Sequence, residues 1–438
     1  QRHVWFGASI TLHFDVIISG GGLSGSLMAL SLSKLTKVDG SLLSIAIIEA
    51  LPFNQTKSVD ENALFDERVL ALSHGSAKYL DKLGAWQYLK ADASAITDID
   101  ISDRGHFAKA RLTAKEYRVS ALGYVIEMAL IGKAHLKALS DNTVTNKVDS
   151  KKNIHWFSPD SIADITWQDK NNGATGKAHV AVSLNSGKTL SASLLLGCDG
   201  AQSPVRKLAK IDVSCDDYHQ VALIANVTTS KAHHHKAFER FTEFGPIAML
   251  PLKSLKVQRQ SSAAGASRCS LVWTMTPSQA EEIKQLSDDA FKVELERAFG
   301  SYLGAITHVG KRDVYPLVLL QAQQQTYHRM ALVGNASHTI HPIAGQGFNL
   351  GLRDVEVMAD LVKNALAAGQ DIGNFALLHS YQMNRAKDQQ QVIQLTDSLV
   401  TLFANDLPPL VVGRNIGLQA LNIMSPLKDA LVKKTMGY

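Results

Sequence analysis

The segment from Phe14 to Glu49 limits the fold of this 438-residue chain more than any other. Its first residues are apolar and predict a buried strand, and glycines at 20, 22 and 25 then form a G-x-G-x-x-G pattern. A leucine-rich helix follows, and then a second apolar strand that ends at Glu49. This order is typical of a Rossmann-like α/β fold, in which glycines let a pyrophosphate approach the backbone and the carboxylate binds a ribose. The segment therefore predicts a dinucleotide site formed by Gly20, Gly22, Gly25 and Glu49.

A second glycine-rich segment follows the short apolar strand 330–333 and leads into a long helical pattern. Glycine allows a ligand to approach the backbone closely, and the N–H groups at the start of a helix attract negative charge. A reduced flavin carries negative charge on its pyrimidine ring, so this segment predicts the floor of a flavin site. The candidate cofactor-binding residues are Gly334, Asn335, Pro342, Gly345, Gln346, Gly347 and Asn349.

A third segment, 194–206, is an apolar strand that runs into Asp199 and Gly200, with Ser203 and Arg206 beyond them. Alone, this pattern predicts only a strand that ends in a turn. In this order, however, the three segments resemble the class A flavoprotein aromatic hydroxylases. The resemblance implies that the first segment binds FAD and that Asp199 and Gly200 serve both FAD and the nicotinamide donor.

Asn335 stands where the resembled proteins have an acidic residue that holds the ribityl chain of the flavin. The Asn side chain can both accept and donate a hydrogen bond, so the resemblance implies binding with altered charge near the flavin. The segment from His341 to Asp354 resembles the signature of the ubiquinone-biosynthesis hydroxylases within this class. The segment 66–73 resembles the one that brings an arginine, here Arg68, towards the flavin.

Further segments resemble the members of that family that act on polyprenyl-methoxyphenols: 102–106, 239–242 with 245–251, and 402–405 with 411–415. The resemblance implies hydroxylation of a prenylated phenol with FAD, O2, and NADPH or NADH as the electron donor. It leaves open homo-oligomers and partners in a ubiquinone-biosynthesis complex. It leaves residues 1–13 without a counterpart, which favours a leader or a tag.

The implied architecture is the aromatic hydroxylase fold. A discontinuous FAD-binding domain is expected over 14–97, 125–212 and 328–365, a substrate domain over 98–124 and 213–327, and a helical C-terminal region over 366–438. In the resembled fold the substrate domain is an antiparallel sheet that covers the flavin ring. Phe241, Leu250 and Pro251 are the candidate substrate contacts, because an apolar face there would suit a phenol with an isoprenoid tail.

Composition excludes several other classes of protein. A hydrophobic fraction of 45% suits a soluble globular protein, and no apolar run reaches the roughly 20 residues of a spanning helix. The net charge of +5 is modest and no basic block suggests nucleic acid. Three scattered cysteines favour reduced thiols in the cytoplasm.

The adjacent histidines 233–235 cannot all face one way, so we expect a solvated loop and no metal site. The stretch 418–434 is amphipathic, which leaves open a packing helix or peripheral contact with a membrane surface.

The chemistry itself belongs to the cofactor, and no protein base that would activate the phenol is identifiable. His106, His338 and His341 are interpreted as structural. A flavin halogenase is disfavoured because no two of the five tryptophans form a Trp-x-Trp pair. Three alternatives stay open: hydroxylation at another ring position, an FAD-dependent isoprenoid reductase, and a non-catalytic FAD-binding assembly subunit.

Overall fold

The structure is a computed structural model that describes residues 11–53, 68–103, 109–145, 153–168, 178–242, 245–253, 267–340, 346–404 and 436. The helices are α1 Leu23–Leu32, α2 His74–Lys82, α3 Met128–Thr145, α4 Pro204–Leu208, α5 Pro277–Gln285, α6 Asp288–Phe299, α7 Gln346–Ala367 and α8 Phe375–Ala404. Short 3-10 helices lie at Trp86–Tyr88 and Gly334–Ala336.

The first sheet has eight strands. They are β1 Thr11–Ser19, β2 Ile45–Ile48, β8 Ile154–Phe157, β9 Ile162–Gln168, β10 His179–Leu184, β11 Thr189–Gly197, β18 Thr326–Tyr327 and β19 Met330–Leu332. Strands β19, β11, β1, β2 and β8 are neighbours in that order and all run parallel. Residues Val16, Ile17 and Ile18 of β1 have no exposed surface, which is expected for a parallel strand covered on both faces. The predicted Rossmann-like α/β sheet is confirmed.

The second sheet has nine strands. They are β5 Asp98–Asp103, β6 Lys109–Thr113, β12 Val213–Thr229, β13 Lys236–Thr242, β14 Gly245–Leu252, β15 Ser267–Met275, β16 Ile306–Val309, β17 Asp313–Ala322 and β20 His338–Thr339. All of its pairings are antiparallel except that of β13 with β5. A third, three-stranded sheet contains β3 Val69–Ser73, β4 Ser94–Ile96 and β7 Gly123–Glu127.

The two faces of the nine-stranded sheet have different neighbours. Alternate residues such as Leu223, Met249 and Leu271 pack with Phe291 and Leu295 of α6 in one buried cluster. We call this the helix-covered face. Residues of the opposite parity, among them Ala237, Leu250 and Leu252, pack with Val69 of β3 and Val125 of β7. We call this the inner face, because it is directed at the three-stranded sheet.

Several boundaries differ from the sequence prediction. Strand β1 begins at Thr11 rather than at Phe14, because residues 11–13 pair with residues 189–191 of β11. Strand β18 pairs within the first sheet, whereas β20 joins the second sheet from inside the predicted FAD-binding range. The division into domains therefore stays a proposal. The amphipathic stretch 418–434 lies outside the described residues. Within the described ranges, no helix is both long and apolar enough to span a membrane.

Candidate active site

The carboxyl ends of parallel strands meet at one edge of the first sheet. There β1 leads to Gly20, β11 leads to Asp199 and β19 leads to Gly334, while Glu49 follows β2 on the next strand along. Ligands of open α/β sheets bind at this edge. The three segments that the sequence analysis singled out are therefore adjacent in space, although they are separated by more than a hundred residues along the chain.

The three glycines of the first loop differ in what surrounds them. Gly20 has a φ of +92°, and a Cβ on it would lie 2.6 Å from the carbonyl oxygen of Cys198. A Cβ on Gly25 would lie 1.8 Å from the carbonyl oxygen of Gly20, so the fold itself requires glycine at both positions. A Cβ on Gly22 would meet no atom of the described residues within 4 Å. Since Gly22 precedes the first turn of α1, this open space lies where a pyrophosphate would approach the backbone.

Glu49 is held against the same loop. Its Oε2 accepts a hydrogen bond of 2.6 Å from the Gly21 N–H, and its Oε1 accepts one of 2.8 Å from the Leu51 N–H. The indole of Trp156, on β8, lies beside Gly21. A Cβ built on Gly21 would lie 2.6 Å from a carbon of this ring. Each carboxylate oxygen keeps further acceptor capacity, which suits the ribose hydroxyl groups predicted from the sequence.

The second loop, at Asp199 and Gly200, is held by hydrogen bonds on one side and faces open space on the other. Oδ2 of Asp199 accepts hydrogen bonds from the Ser19 hydroxyl at 3.3 Å and the Val205 N–H at 3.1 Å. Its Oδ1 is buried without a partner among the described residues, and burial raises the pKa of this carboxyl. Gly200 has a φ of +81°, and no described atom lies within 4 Å of a Cβ built on it. An unpartnered acceptor next to open space fits a hydroxyl-bearing ligand.

Arg206 does not reach into this space. Its guanidinium donates hydrogen bonds of 2.7 Å to the carbonyl oxygens of Ala201 and Ala336. It therefore ties the second loop to the third. Ser203 has a similar structural role, since its hydroxyl accepts a hydrogen bond from the Arg206 N–H at the start of α4.

The third loop turns at Gly334, whose φ is +61°. Its N–H donates a 2.9 Å hydrogen bond to Oδ2 of Asp354, and helix α7 passes so close that a Cβ on Gly351 would lie 3.1 Å from the Gly334 Cα. Asn335 is exposed at the sheet edge. Its side chain is therefore accessible at this edge, and its contact with a ribityl chain stays a prediction.

Asp354 is fully buried and holds this loop through its hydrogen bond with Gly334. It is not among the binding residues predicted from the sequence. It accepts hydrogen bonds from His338 Nε2 at 2.8 Å, Arg385 Nε at 2.6 Å and Gln389 Nε2 at 3.2 Å. Burial alone would raise its pKa, but His338 and Arg385 hold the pKa at about 2. Its partners on α8 follow it by more than thirty residues, so no local pattern in the sequence indicates this cluster.

Two further predicted residues hold the segment that leads into the three-stranded sheet. The guanidinium of Arg68 lies 4.7 Å from the ring centroid of Tyr315 on β17. Oδ1 of Asn349 accepts 2.8 Å hydrogen bonds from the Ser73 N–H and the Ser76 hydroxyl, and its Nδ2 donates one of 2.8 Å to the Ala71 carbonyl. Asn349 is therefore a positioning residue for the β3 segment. Its predicted contact with the cofactor has no direct support in these bonds.

Some predicted residues lie outside the described part of the chain. Pro342 and Gly345 are among them, and the side chain of Gln346 is not described although α7 begins there. Gly347 lies in the first turn of α7, and a Cβ on it would meet only Ile340, at 3.8 Å, among the described residues. The predicted roles of these residues stay predictions.

The candidate substrate residues lie on both faces of the nine-stranded sheet. Leu250 packs in the inner-face cluster with Val69 and Ala71, and Phe241 has the same parity on β13. Pro251 alternates with Leu250 onto the helix-covered face, in register with Cys269. The expectation that Pro251 lines the pocket is therefore not supported, because the parity of a strand depends on its pairing partners.

The residues at the sheet edge fit an FAD. They provide an open pyrophosphate approach at Gly22, a ribose carboxylate at Glu49, an unpartnered acceptor at Asp199 and an exposed amide at Asn335. The histidine segment 233–235 includes a turn at residues 234–235. Among the described residues, no three His, Cys, Asp or Glu side chains are grouped so that they could hold a metal ion.

A family model described as an FAD binding domain matches residues 13–396. Ubiquinone hydroxylase UbiL of Rhodospirillum rubrum is 32% identical over 432 residues, which cover 97% of this chain and 89% of the relative. The mitochondrial ubiquinone biosynthesis monooxygenase COQ6 of Homo sapiens is 29% identical, with coverages of 98% and 93%.

Solved structures are similar in fold at lower identity. The p-nitrophenol 4-monooxygenase PnpA of Pseudomonas putida superimposes with a TM-score of 0.72 at 17% identity, covering 98% of this chain and 99% of the other. PqsL of P. aeruginosa, in complex with 2-aminobenzoylacetate, has a TM-score of 0.71 at 19% identity, with coverages of 90% and 97%.

Proposed function

The chain belongs to the ubiquinone-biosynthesis hydroxylases, which are FAD-dependent aromatic monooxygenases of class A, and we propose that it hydroxylates the ring of a polyprenyl-methoxyphenol. The specific substrate proposed is 2-octaprenyl-6-methoxyphenol. The observation that supports a prenylated phenol as substrate is the inner face of the nine-stranded sheet, where apolar side chains stay partly exposed opposite the segment of Arg68. Hydroxylation at another ring position is the nearest alternative, and an isoprenoid reductase is the next.

When bound, FAD supplies the redox chemistry with NADPH or NADH and O2. The chain holds the cofactor and arranges the substrate. Gly22 and the first turn of α1 would receive the pyrophosphate, Glu49 the adenosine ribose, and Asp199 and Asn335 the middle of the molecule. The start of α7 would stabilise negative charge on the flavin ring. The apolar cluster of the inner face, which includes Ala237, Leu250 and Leu252, would exclude water from the reacting ring.

A polyprenyl substrate partitions into membranes, so we propose that the protein works in the cytoplasm at the inner surface of the membrane. Peripheral contact of this kind requires no spanning helix. Partners in a ubiquinone-biosynthesis complex and a homo-oligomer remain parts of the same proposal.

The proposal is tested with the purified, FAD-loaded protein. Aerobic incubation with NADPH or NADH and a short-chain prenyl-methoxyphenol is expected to give a product with one added oxygen atom, identified by mass spectrometry. The control substrate is a hydroxybenzoate, which lacks the tail and should be hydroxylated poorly. A reduced double bond in the prenyl tail, without an added oxygen, would instead support the isoprenoid reductase.

Tail length provides a first quantitative prediction. Each buried CH₂ contributes about 0.8 kcal/mol, so removing isoprene units should raise KM steeply while kcat changes little. The measurement is a series of prenyl-methoxyphenols that differ only in the number of isoprene units, assayed by oxygen uptake and product formation. A KM that does not depend on tail length would contradict binding of the tail on the apolar inner face.

A further inference from the structure

We propose that Glu239 is the base that accepts the proton of the substrate's phenolic hydroxyl group. The inference rests on the proposed function, since it assigns a residue to the same pocket. The sequence analysis found no such base, and no histidine is needed for this role.

The placement of Glu239 follows from strand parity. Its neighbours Phe238 and Arg240 belong to the helix-covered face, where Phe238 packs against the core cluster and the Arg240 guanidinium lies 5.8 Å from the ring centroid of Tyr302. Ala237, two residues before Glu239, is buried in the inner-face cluster. Since alternate side chains of a strand point to the same side, Glu239 is directed into the inner face.

The inner face has one row of partly exposed side chains at the level of Glu239. Strand register aligns Glu239 with Ile101 of β5 and Ala248 of β14, Ala248 with Val272 of β15, and Val272 with Ile224 of β12. All members of this row are partly exposed in the middle of a sheet. With strands about 4.8 Å apart, the row is roughly 19 Å wide, which is enough for a phenol ring and the first part of a tail. Of these five residues only Glu239 is ionisable, and the register continues from Ile224 to Asp313 of β17.

Glu239 has no partner of its own in the described part of the chain. None of the hydrogen bonds or ion pairs there involves its carboxylate. Asp98 and Asp100 of β5 have the opposite parity and pair with Arg111, and β14 has no ionisable residue.

Charged groups on neighbouring elements have contacts of their own, and Asp313 of β17 pairs with Lys311. Glu127 of β7 pairs with Arg268, and Arg68 lies on the Tyr315 ring. Helix α8 also contacts β13; the side chains of Asp103 on β5 and Asp397 on α8 are outside the described residues. Burial raises the pKa of Glu239 to about 7, which suits a base that works near neutral pH.

The proton transfer balances without a further reactant. The phenolic O–H bond breaks, its electron pair stays on the substrate oxygen, and the proton forms a new O–H bond on the Glu239 carboxylate. The phenolate is richer in electrons at its ortho and para carbons, so oxygen transfer to the ring becomes easier. A carboxylate that is held among apolar side chains without a cation or donor destabilises a fold, so a packing role would be served better by an apolar residue.

The test compares the wild type with Glu239→Gln and with the control Asp100→Asn, which removes a carboxylate of opposite parity on the same sheet. All three are expected to bind FAD with the same visible spectrum. Glu239→Gln should lower kcat by roughly 100-fold or more, while KM changes little and the control stays within a few-fold of wild type. The acidic limb of the wild-type profile of kcat/KM against pH should be missing in Glu239→Gln. A fluorinated prenylphenol that is already ionised at the assay pH should restore most of the lost rate.

The dependence of thermal stability on pH tests the desolvated environment of Glu239 independently of turnover. The folded pKa is raised, so the wild type loses stability as pH rises from about 4.5 to about 7, whereas Glu239→Gln does not. The variant should therefore melt at the wild-type temperature in acid and at a higher temperature above neutral pH.

The outcomes separate the two proposals. An unchanged kcat and pH profile in Glu239→Gln, with hydroxylation intact, would overturn the role of Glu239 alone. A wild type that hydroxylates no prenylphenol would overturn the proposed function, and the melting experiment would still show whether Glu239 occupies a desolvated site. An equal loss of rate with ionised and neutral phenols would also overturn the role as a base.

Discussion

The resemblance implies that Asn335 carries an amide where other class A hydroxylases have an acidic residue. The residue is exposed at the edge of the first sheet, next to the turn at Gly334. An added negative charge there would oppose further negative charge on a reduced flavin. The charge at this single position should therefore tune the reduction potential without removing the site.

We expect Asn335→Asp to keep FAD bound and to lower the flavin reduction potential. The measurement is a redox titration of wild type and variant at the same ionic strength, since salt screens exposed charges. Asn384→Asp, which makes the same change on an exposed position of α8, is the matched control. A potential that is unchanged or higher in Asn335→Asp would contradict the electrostatic argument.

Single residues differ in how far the sequence could predict them. Gly20, Gly22, Gly25 and Glu49 were predicted because their roles depend on a local strand–turn–helix–strand order. Glu239 was not, because its environment arises from the pairing of five strands that are distant in sequence. The face of the sheet on which Pro251 lies could not be predicted for the same reason, since parity is decided by register rather than by residue type.

At the scale of an element, the turn between β1 and α1 separates the needs of the fold from those of a ligand. We expect Gly22→Val to leave the stability of the cofactor-free protein unchanged, because its Cβ would meet no described atom within 4 Å, and yet to abolish FAD binding. Gly25→Val is the contrast, since its Cβ would overlap the Gly20 carbonyl oxygen at 1.8 Å. Thermal unfolding without FAD and a flavin titration measure the two effects. Normal FAD affinity in Gly22→Val would count strongly against a pyrophosphate at this turn.

Helices depend on local sequence and can be predicted more directly than strand pairing. Within the predicted helical C-terminal region, the described residues up to Ala404 are mostly helical. Local capping also sets helix ends: the Ser287 side chain accepts a hydrogen bond from the Ala290 N–H at the start of α6. Strand partners could not be predicted in the same way, because pairing joins segments of high sequence separation.

At the scale of the whole molecule, Asp354 joins the first sheet to the two long C-terminal helices. It binds Gly334 and His338 beside β19, and Arg385 and Gln389 on α8, while it is itself part of α7. Asp354→Asn would leave the buried Arg385 without its closest carboxylate. We expect a loss of about 3–5 kcal/mol in the free energy of unfolding.

Urea unfolding measures this loss. Glu294→Gln, which removes an exposed ion pair with Arg297, is the control and should cost at most about 1 kcal/mol. The pKa of Asp354 is lowered to about 2, so its contribution should persist above about pH 4 and disappear as the pH falls towards 2. A variant as stable as the wild type near neutral pH would show that Asp354 is not the anchor.

The division of the chain into domains stays a prediction. The strands between residues 98 and 113 and between 213 and 322 lie in the second sheet, whereas β18 and β20 each join the sheet of the other predicted domain. These crossings are single short strands without a compositional change around them. They arise because the chain passes between the two sheets at Gln325–Ser337, where Gln325 also bonds to Gln389.

The opposite parity of Glu239 and Phe238 has a consequence for how such a pocket can diversify. Substitutions at Ala248, Val272 or Ile224 alter the shape of the inner face and leave the helix-covered core unchanged. Such substitutions can therefore change which ring substituents the pocket accepts, at little cost to folding. Insertion or deletion of one residue within β13 would instead exchange the two faces and bring Arg240 into the pocket. Substrate range in this architecture should therefore drift by substitution within strands of constant length.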